Sequence, residues 1–138
     1  MKILVTGGTG FIGSHTAVEL LNNNYEVVII DNLYNSKRDV IDKIKEITGC
    51  DVYFYEGDVC DKELLRRIFT EHKIAAVMHF AGYKAVGESV KKPIMYYRNN
   101  IDSTLSLCEV MNEFNVKNLV FSSSATVYGT PKSLPIKE

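Results

Sequence analysis

Three glycines spaced three apart, Gly7, Gly10 and Gly13, lie between an aliphatic run and a helical pattern, and they constrain the chain more than any other feature. Lys2–Thr6 reads as a strand and Phe11–Asn22 as a helix, so the glycines occupy the turn that joins them. A sharp exit from a strand suits a residue tolerant of positive φ, here Gly7. A helix seated tightly on a sheet asks for Gly13. A Cβ at Gly10 would obstruct a pyrophosphate approaching the first N–H groups of the helix. The pattern gains weight from Asp31, which ends the strand Glu26–Asp31 about eighteen residues after Gly13. That carboxylate can accept hydrogen bonds from both hydroxyls of an adenosine ribose, and it would repel a 2′-phosphate. Asn32 follows it, and the basic pair Lys37-Arg38 comes only later, so NAD is favoured over NADP.

The rest of the chain alternates in the same way. Lys37–Thr48 is amphipathic through Val40, Ile44 and Ile47, with Gly49 suited to its cap. Asp51–Glu56 reads as a strand near a sheet edge. Asp61–Lys73 reads as a helix with Leu64, Leu65, Ile68 and Phe69 inward, and Ala75–Phe80 as a strand. Pro93–Phe114 reads as a long helix opened by Pro93, and Lys117–Ser123 as a fifth strand. Alternation of this kind predicts an α/β fold: a doubly wound parallel sheet of the Rossmann type, with strand order 3-2-1-4-5. A ligand crevice is expected between strands one and four. In the first helix Phe11, Val18 and Leu21 share the expected inner face. In the last helix Ile94, Tyr97, Ile101, Leu105 and Cys108 are expected to face the sheet. Leu107, Val110 and Phe114 form a second apolar stripe that needs another partner.

Other candidates stand at strand ends. Asp58, after strand three, can accept from an adenine amino group; it or Asp61 can equally cap the next helix. Phe80-Ala81-Gly82 ends strand four with small residues where the middle of a cofactor would pass. Ser122-Ser123-Ser124 places three hydroxyls at the end of strand five, or simply makes a serine turn. No GxSxG accompanies them. Tyr128 and Lys132 match Tyr-x-x-x-Lys, but Gly129 and Pro131 argue against the helix that such a pair needs, so Tyr128 is read as a turn residue.

Composition sets the bounds. The 138 residues make one domain, and 46% apolar content can fill a core. A formal net charge of −1 and a pI of about 6.3 give no basic excess for nucleic acid or an anionic membrane. The N-terminal apolar run is too short for a signal peptide or a span, and a cytoplasmic location is expected. Cys50, Cys60 and Cys108 are odd in number and form no CxxC, which suggests reduced, buried thiols. His15, His72 and His79 show no metal-ligand spacing.

Taken together, Thr6 to Gly13, Gly13-Ser14-His15-Thr16, Asp31-Asn32-Leu33, His79 to Gly82, Lys84 to Ser89, Tyr96 to Asn100 and Ser122 to Gly129 resemble the extended short-chain dehydrogenase/reductase family, in its nucleotide-sugar epimerase branch. The resemblance implies an NAD-dependent isomerase. Such an enzyme interconverts UDP-glucose and UDP-galactose by oxidation at C4, rotation of the 4-keto sugar and re-reduction, as a homodimer. It implies cofactor contacts from Gly7, Gly10, Phe11, Ile12 and Gly13, from Asp31 through Ser36 (Asp31, Asn32, Leu33, Tyr34, Asn35 and Ser36), from Asp58 and Val59, from Phe80 to Lys84 (Phe80, Ala81, Gly82, Tyr83 and Lys84), and from Asn99 and Ser122. It makes Ser124 the catalytic hydroxyl beside the sugar. Similar enzymes are more than twice as long. Residues 1–138 are therefore expected to form an incomplete NAD-binding domain, short of the last strands, the catalytic Tyr-x-x-x-Lys helix and the part that binds the UDP-sugar. Two alternatives remain. One is a nucleotide-sugar 4,6-dehydratase, whose Asp-Glu pair corresponds to Ala125-Thr126. The other is a non-catalytic NAD-binding module.

Overall fold

The computed structural model describes residues 1–130 and 133–135. Five parallel strands, β1 (Lys2–Thr6), β2 (Glu26–Asp31), β3 (Tyr53–Glu56), β4 (Ile74–His79) and β5 (Leu119–Phe121), form one sheet in the order β3-β2-β1-β4-β5. The helices that connect them are α1 (Phe11–Asn22), α2 (Asp39–Thr48), α3 (Lys62–Glu71), α4 (Val86–Lys91) and α5 (Pro93–Glu113). The expected topology is present. The chain winds outward from β1 to β3, then returns to the other side of β1, so the direction reverses between β1 and β4.

Successive strand residues point to opposite faces, and here both faces are covered. Leu4, Val28, Ile30 and Val77 pack with Leu65, Ile68, Phe69, Leu107 and Val110 from α3 and α5. Ile3, Val5, Val27 and Ile29 pack with Ala17, Leu21 and Ile44 from α1 and α2. This two-sided burial is why Val27-Val28-Ile29-Ile30 shows no polar alternation. Between α3 and α5, Arg66 grips Glu113 with Nε and Nη2 at 2.7 and 2.8 Å.

The structure corrects several expectations. Helix α5 is turned the other way: Tyr96, Ser103, Ser106, Leu107, Val110 and Met111 face inward. Ile94, Tyr97, Ile101, Leu105 and Cys108 are exposed. The small hydroxyl residues Ser103 and Ser106 let the helix lie close to the sheet, which a stripe of bulky side chains would prevent. In α1, Phe11 is 82% exposed; Gly13, Ala17 and Leu21 make its buried face. In α2, Ile47 is exposed and Ile44 carries the packing. Cys50 and Cys108 are exposed thiols, not buried ones. Helix α4 was not anticipated from VGESVK, a short segment with weak helical propensity. Lys92 Nζ, bonded to Glu88 at 3.1 Å, ties its C-terminal end. Among the described residues no helix is long and apolar enough to cross a membrane.

Candidate functional site

The reversal between β1 and β4 opens a cleft of about 350 Å³ at the C-terminal ends of the strands. Its floor is the glycine turn. Gly7 adopts φ +67, and a Cβ there would come 2.7 Å from the Ala81 nitrogen. A Cβ on Gly13 would overlap the Gly7 carbonyl oxygen and sit 2.9 Å from Gly8 Cα. Both glycines are thus required by the protein's own packing. Gly10 is different. A Cβ there would meet only the Gly7 oxygen, at 3.2 Å, because the residue faces the cleft. Gly10 is also the N-cap of α1 and offers no side-chain acceptor, so the first N–H groups of the helix open onto the cleft.

Asp31 is fixed at the end of β2. Its Oδ2 accepts from the Thr9 N–H at 3.0 Å, and its Oδ1 accepts from the Leu33 N–H at 2.9 Å and the Ser36 hydroxyl at 3.2 Å. The Leu33 N–H and the Ser36 hydroxyl, both expected at the cofactor, thus hold this carboxylate, and neither residue is among those lining the cleft. Thr9 and Ser36 also share a hydroxyl bond of 2.7 Å, which ties the glycine turn to the loop after β2. Of the two candidate caps for α3, Asp61 is the one used, accepting from Glu63 and Leu64. Asp58 lines the cleft, accepts the Cys60 N–H at 2.8 Å and receives Asn32 Nδ2 at 3.3 Å.

The other expected residues gather there as well: Phe11, Ile12, Asn32, Asn35, Val59, Phe80, Ala81, Gly82, Lys84, Asn99, Ser122 and Ser124 all line the cleft. Tyr34 and Tyr83, within the two implied loop spans, and Ser123, within the serine run, line it too. Gly57 and Ser103 join them without having been anticipated. Gly57 directly precedes Asp58. Ser103 comes from α5, whose inner face was misjudged. Ser124 caps a single 3-10 turn, Ala125–Tyr128, and its Oγ lies 2.9 Å from Thr126 Oγ1. Tyr128 ends that turn and the chain leaves through Gly129 at φ +72, so Tyr128 stands on no helix that continues. Lys132, its partner in the sequence pattern, lies outside the described residues, as does Pro131.

Beneath the cleft wall a hydrogen-bonded chain fixes one histidine tautomer. The Thr104 hydroxyl donates to the Asn100 carbonyl at 3.0 Å, so its oxygen accepts from His79 Nε2–H at 3.1 Å. His79 Nδ1 is then an acceptor, and takes the Thr6 hydroxyl proton at 2.6 Å. The Thr6 oxygen in turn accepts the Ala81 N–H at 3.3 Å. Only neutral imidazole fits this chain. Burial, and secondarily the nearby Lys84, push the His79 pKa down to about 4. Asn100 continues the support: its amide oxygen accepts the Tyr83 N–H at 2.7 Å and its amide nitrogen donates to the Tyr83 carbonyl at 3.1 Å. The turn after β4 is therefore held from both sides.

Comparison with known proteins agrees with this geometry. The model of the NAD dependent epimerase/dehydratase family matches residues 3–138. The chain is 58% identical to the UDP-glucose 4-epimerase of Bacillus subtilis over its whole length, and covers 41% of that protein. Among solved structures, the UDP-glucose 4-epimerase from Bifidobacterium longum in complex with NAD+ and UDP superposes with a TM-score of 0.95 at 56% identity. All of this chain and 41% of that one are covered. The enzyme from Stenotrophomonas maltophila, with bound NAD and formylated UDP-arabinopyranose, gives a TM-score of 0.94 at 46% identity over 99% of this chain and 40% of its own. The chain thus spans about two fifths of the length of these relatives.

Proposed function

Since this chain belongs to the NAD-dependent epimerase/dehydratase family, we propose that its cleft holds NAD and serves the C4 epimerisation of a UDP-hexose, between UDP-glucose and UDP-galactose. The observation that carries the reading is the joint placement of the glycine turn, Asp31 and Ser124 around one cleft. The residues fit the cofactor. Gly10 leaves open the space above the helix N-terminus that a pyrophosphate needs, and the preordered Asp31 carboxylate offers acceptors to a ribose diol. Bound NAD would supply the acceptor, and later the donor, of the hydride at sugar C4.

The chain's own residues bind, orient and exclude water. The helix N–H groups meet the phosphates, Asp58 receives the adenine amino group, and the turn Phe80–Gly82 forms one wall. Ser124 hydrogen-bonds the 4-oxygen of the sugar and helps its proton move. A base is needed to take that proton. Ser124 cannot be that base at neutral pH, and Tyr128 ends a single 3-10 turn that Gly129 closes. Residues 1–138 by themselves therefore act as the cofactor-binding part. The exposed stripe Ile94, Tyr97, Ile101 and Leu105 on α5 supports self-association, as a homodimer, through this helix. A 4,6-dehydratase is disfavoured because Thr126 offers no acid.

The experiment is a transplant. Residues 1–138 replace the matching part of the Bifidobacterium longum enzyme, and conversion of UDP-galactose to UDP-glucose is followed. The chimera is expected to turn over, and Ser124→Ala to lower kcat by about 100-fold with intact NAD binding. The chain alone is expected to show no turnover. A chimera that folds and binds NAD but is inactive would overturn the epimerase reading. Activity in the isolated chain, lost in Tyr128→Phe, would overturn the dismissal of Tyr128.

A further inference from the structure

Two tyrosines meet across the cleft. Tyr34 comes from the loop after β2 and Tyr83 from the loop after β4, and β1 lies between these two strands. Loops rooted two strand spacings apart, roughly 10 Å, thus join over the end of β1, where the glycine turn begins. The rings stack with centroids 4.6 Å apart and tilted by 38°. Tyr83 also packs against Tyr96 of α5, with centroids 5.3 Å apart. Glu88 of α4 secures the junction. Its carboxylate accepts from the Tyr34 hydroxyl at 3.2 and 3.4 Å, from the Tyr96 hydroxyl at 2.9 Å and from Lys92 at 3.1 Å. Tyr96 is buried and the Tyr83 backbone is clipped by Asn100, so one half of the junction is rigid. Tyr34 is 52% exposed and is the half that can swing.

We propose that Tyr34, Tyr83 and Glu88 form a clasp over the dinucleotide site, so that they govern its exchange. The proposal rests on the reading of the cleft as an NAD site. Both tyrosines line the cleft, so a molecule seated on the glycine turn is enclosed between that floor and the clasp. Leaving requires Tyr34 to break its stack and its bonds to Glu88. Entry passes through the same opening, so loosening the clasp speeds exchange in both directions. Retention suits a reaction in which the cofactor is restored within each cycle and need not exchange.

The test uses NADH as a fluorescent probe, displaced by excess NAD in a stopped-flow instrument. Tyr34→Phe keeps the ring and loses the Glu88 bonds, and is expected to raise koff about 5-fold. Tyr83→Leu removes the stack, and is expected to raise koff about 10-fold. In both, kon is expected to rise or hold, not to fall. Tyr34→Phe combined with Glu88→Gln is expected to raise koff by less than the product of the two single effects, because the Tyr34–Glu88 bonds are lost in both, while Glu88→Gln alone also weakens the bonds to Tyr96 and Lys92. An unchanged koff in Tyr34→Phe, or fully independent effects in the double variant, would overturn the clasp. Asp31→Ala separates this from the underlying reading: it should weaken NADH with the clasp intact. Failure of the unaltered protein to bind NADH would overturn both.

Discussion

Gly13→Ala is expected to destabilise the protein by about 3 kcal/mol and to weaken NAD binding more than 100-fold. The added methyl group would overlap the Gly7 carbonyl oxygen and press on Gly8 Cα at 2.9 Å, both of them backbone atoms that cannot rotate away. Relief requires α1 to lift from the sheet, which opens the packing of Ala17 and Leu21 against Val5 and Ile29. Gly10→Ala is the informative partner. Its methyl group meets one protein atom, at 3.2 Å, and otherwise enters the cleft. Stability should change by less than about 1 kcal/mol, while NAD binding falls at least as far as in Gly13→Ala. Urea unfolding and calorimetric titration of both variants separate the two roles. Equal loss of stability in the two would contradict the assignment of one glycine to the fold and the other to the ligand.

Acidification should destabilise the protein well before its carboxylates are protonated. His79 has a pKa of about 4 in the folded protein against an ordinary 6.5. The unfolded chain therefore binds the proton first. Stability is intact above pH 6.5 and falls as the pH drops from about 6.5 to about 4, by roughly 3 kcal/mol in total. Burial lowers His72 as well, so its contribution has the same sign. The carboxylates act in a separate window. Glu113 is held low by its bond to Arg66, and Glu88 by its bond to Tyr96. They lose stabilisation only below their ordinary value of 4.5, and both are solvent-screened. Protonated His79 would also present Nδ1–H to the Thr6 hydroxyl that now donates to it, so that buried bond would have to reverse. Denaturant unfolding from pH 7.5 to 4.5 should show the decline, and His79→Gln should flatten most of it. A flat profile in the unaltered protein would contradict the neutral, single-tautomer chain.

The parts of the fold that were legible in the sequence are those set by periodicity and turn chemistry. The doubly buried run Val27-Val28-Ile29-Ile30, the glycine turn, Pro93 at the start of α5 and Gly49 at the end of α2 each have one structural solution, and the strand order followed from their alternation. The orientation of α5 did not. Its two apolar stripes have similar strength, and the choice between them depends on how close Ser103 and Ser106 let the helix come to the sheet. That is a property of the partner surface, which periodicity along one helix does not contain. In the site, every anticipated residue except Leu33 and Ser36 lines the cleft. Those two bond the Asp31 carboxylate, an arrangement that a motif match along a loop does not reveal. The Tyr34–Tyr83 junction joins positions 49 residues apart through loops that meet only once the sheet is formed. The neutral His79 chain likewise unites β1, β4 and α5, and no local pattern announces it.

If the cleft at the reversal between β1 and β4 is an NAD site with Asp31 at its ribose end, calorimetric titration of NAD and of NADP into the unaltered protein and into Asp31→Ala should show it. NAD should bind with one site per chain, and NADP at least about 100-fold more weakly, because its 2′-phosphate meets a fixed carboxylate. In Asp31→Ala, NAD should weaken and the gap should narrow to within about 10-fold. Equal affinities in the unaltered protein, or a gap that survives the loss of Asp31, would contradict it.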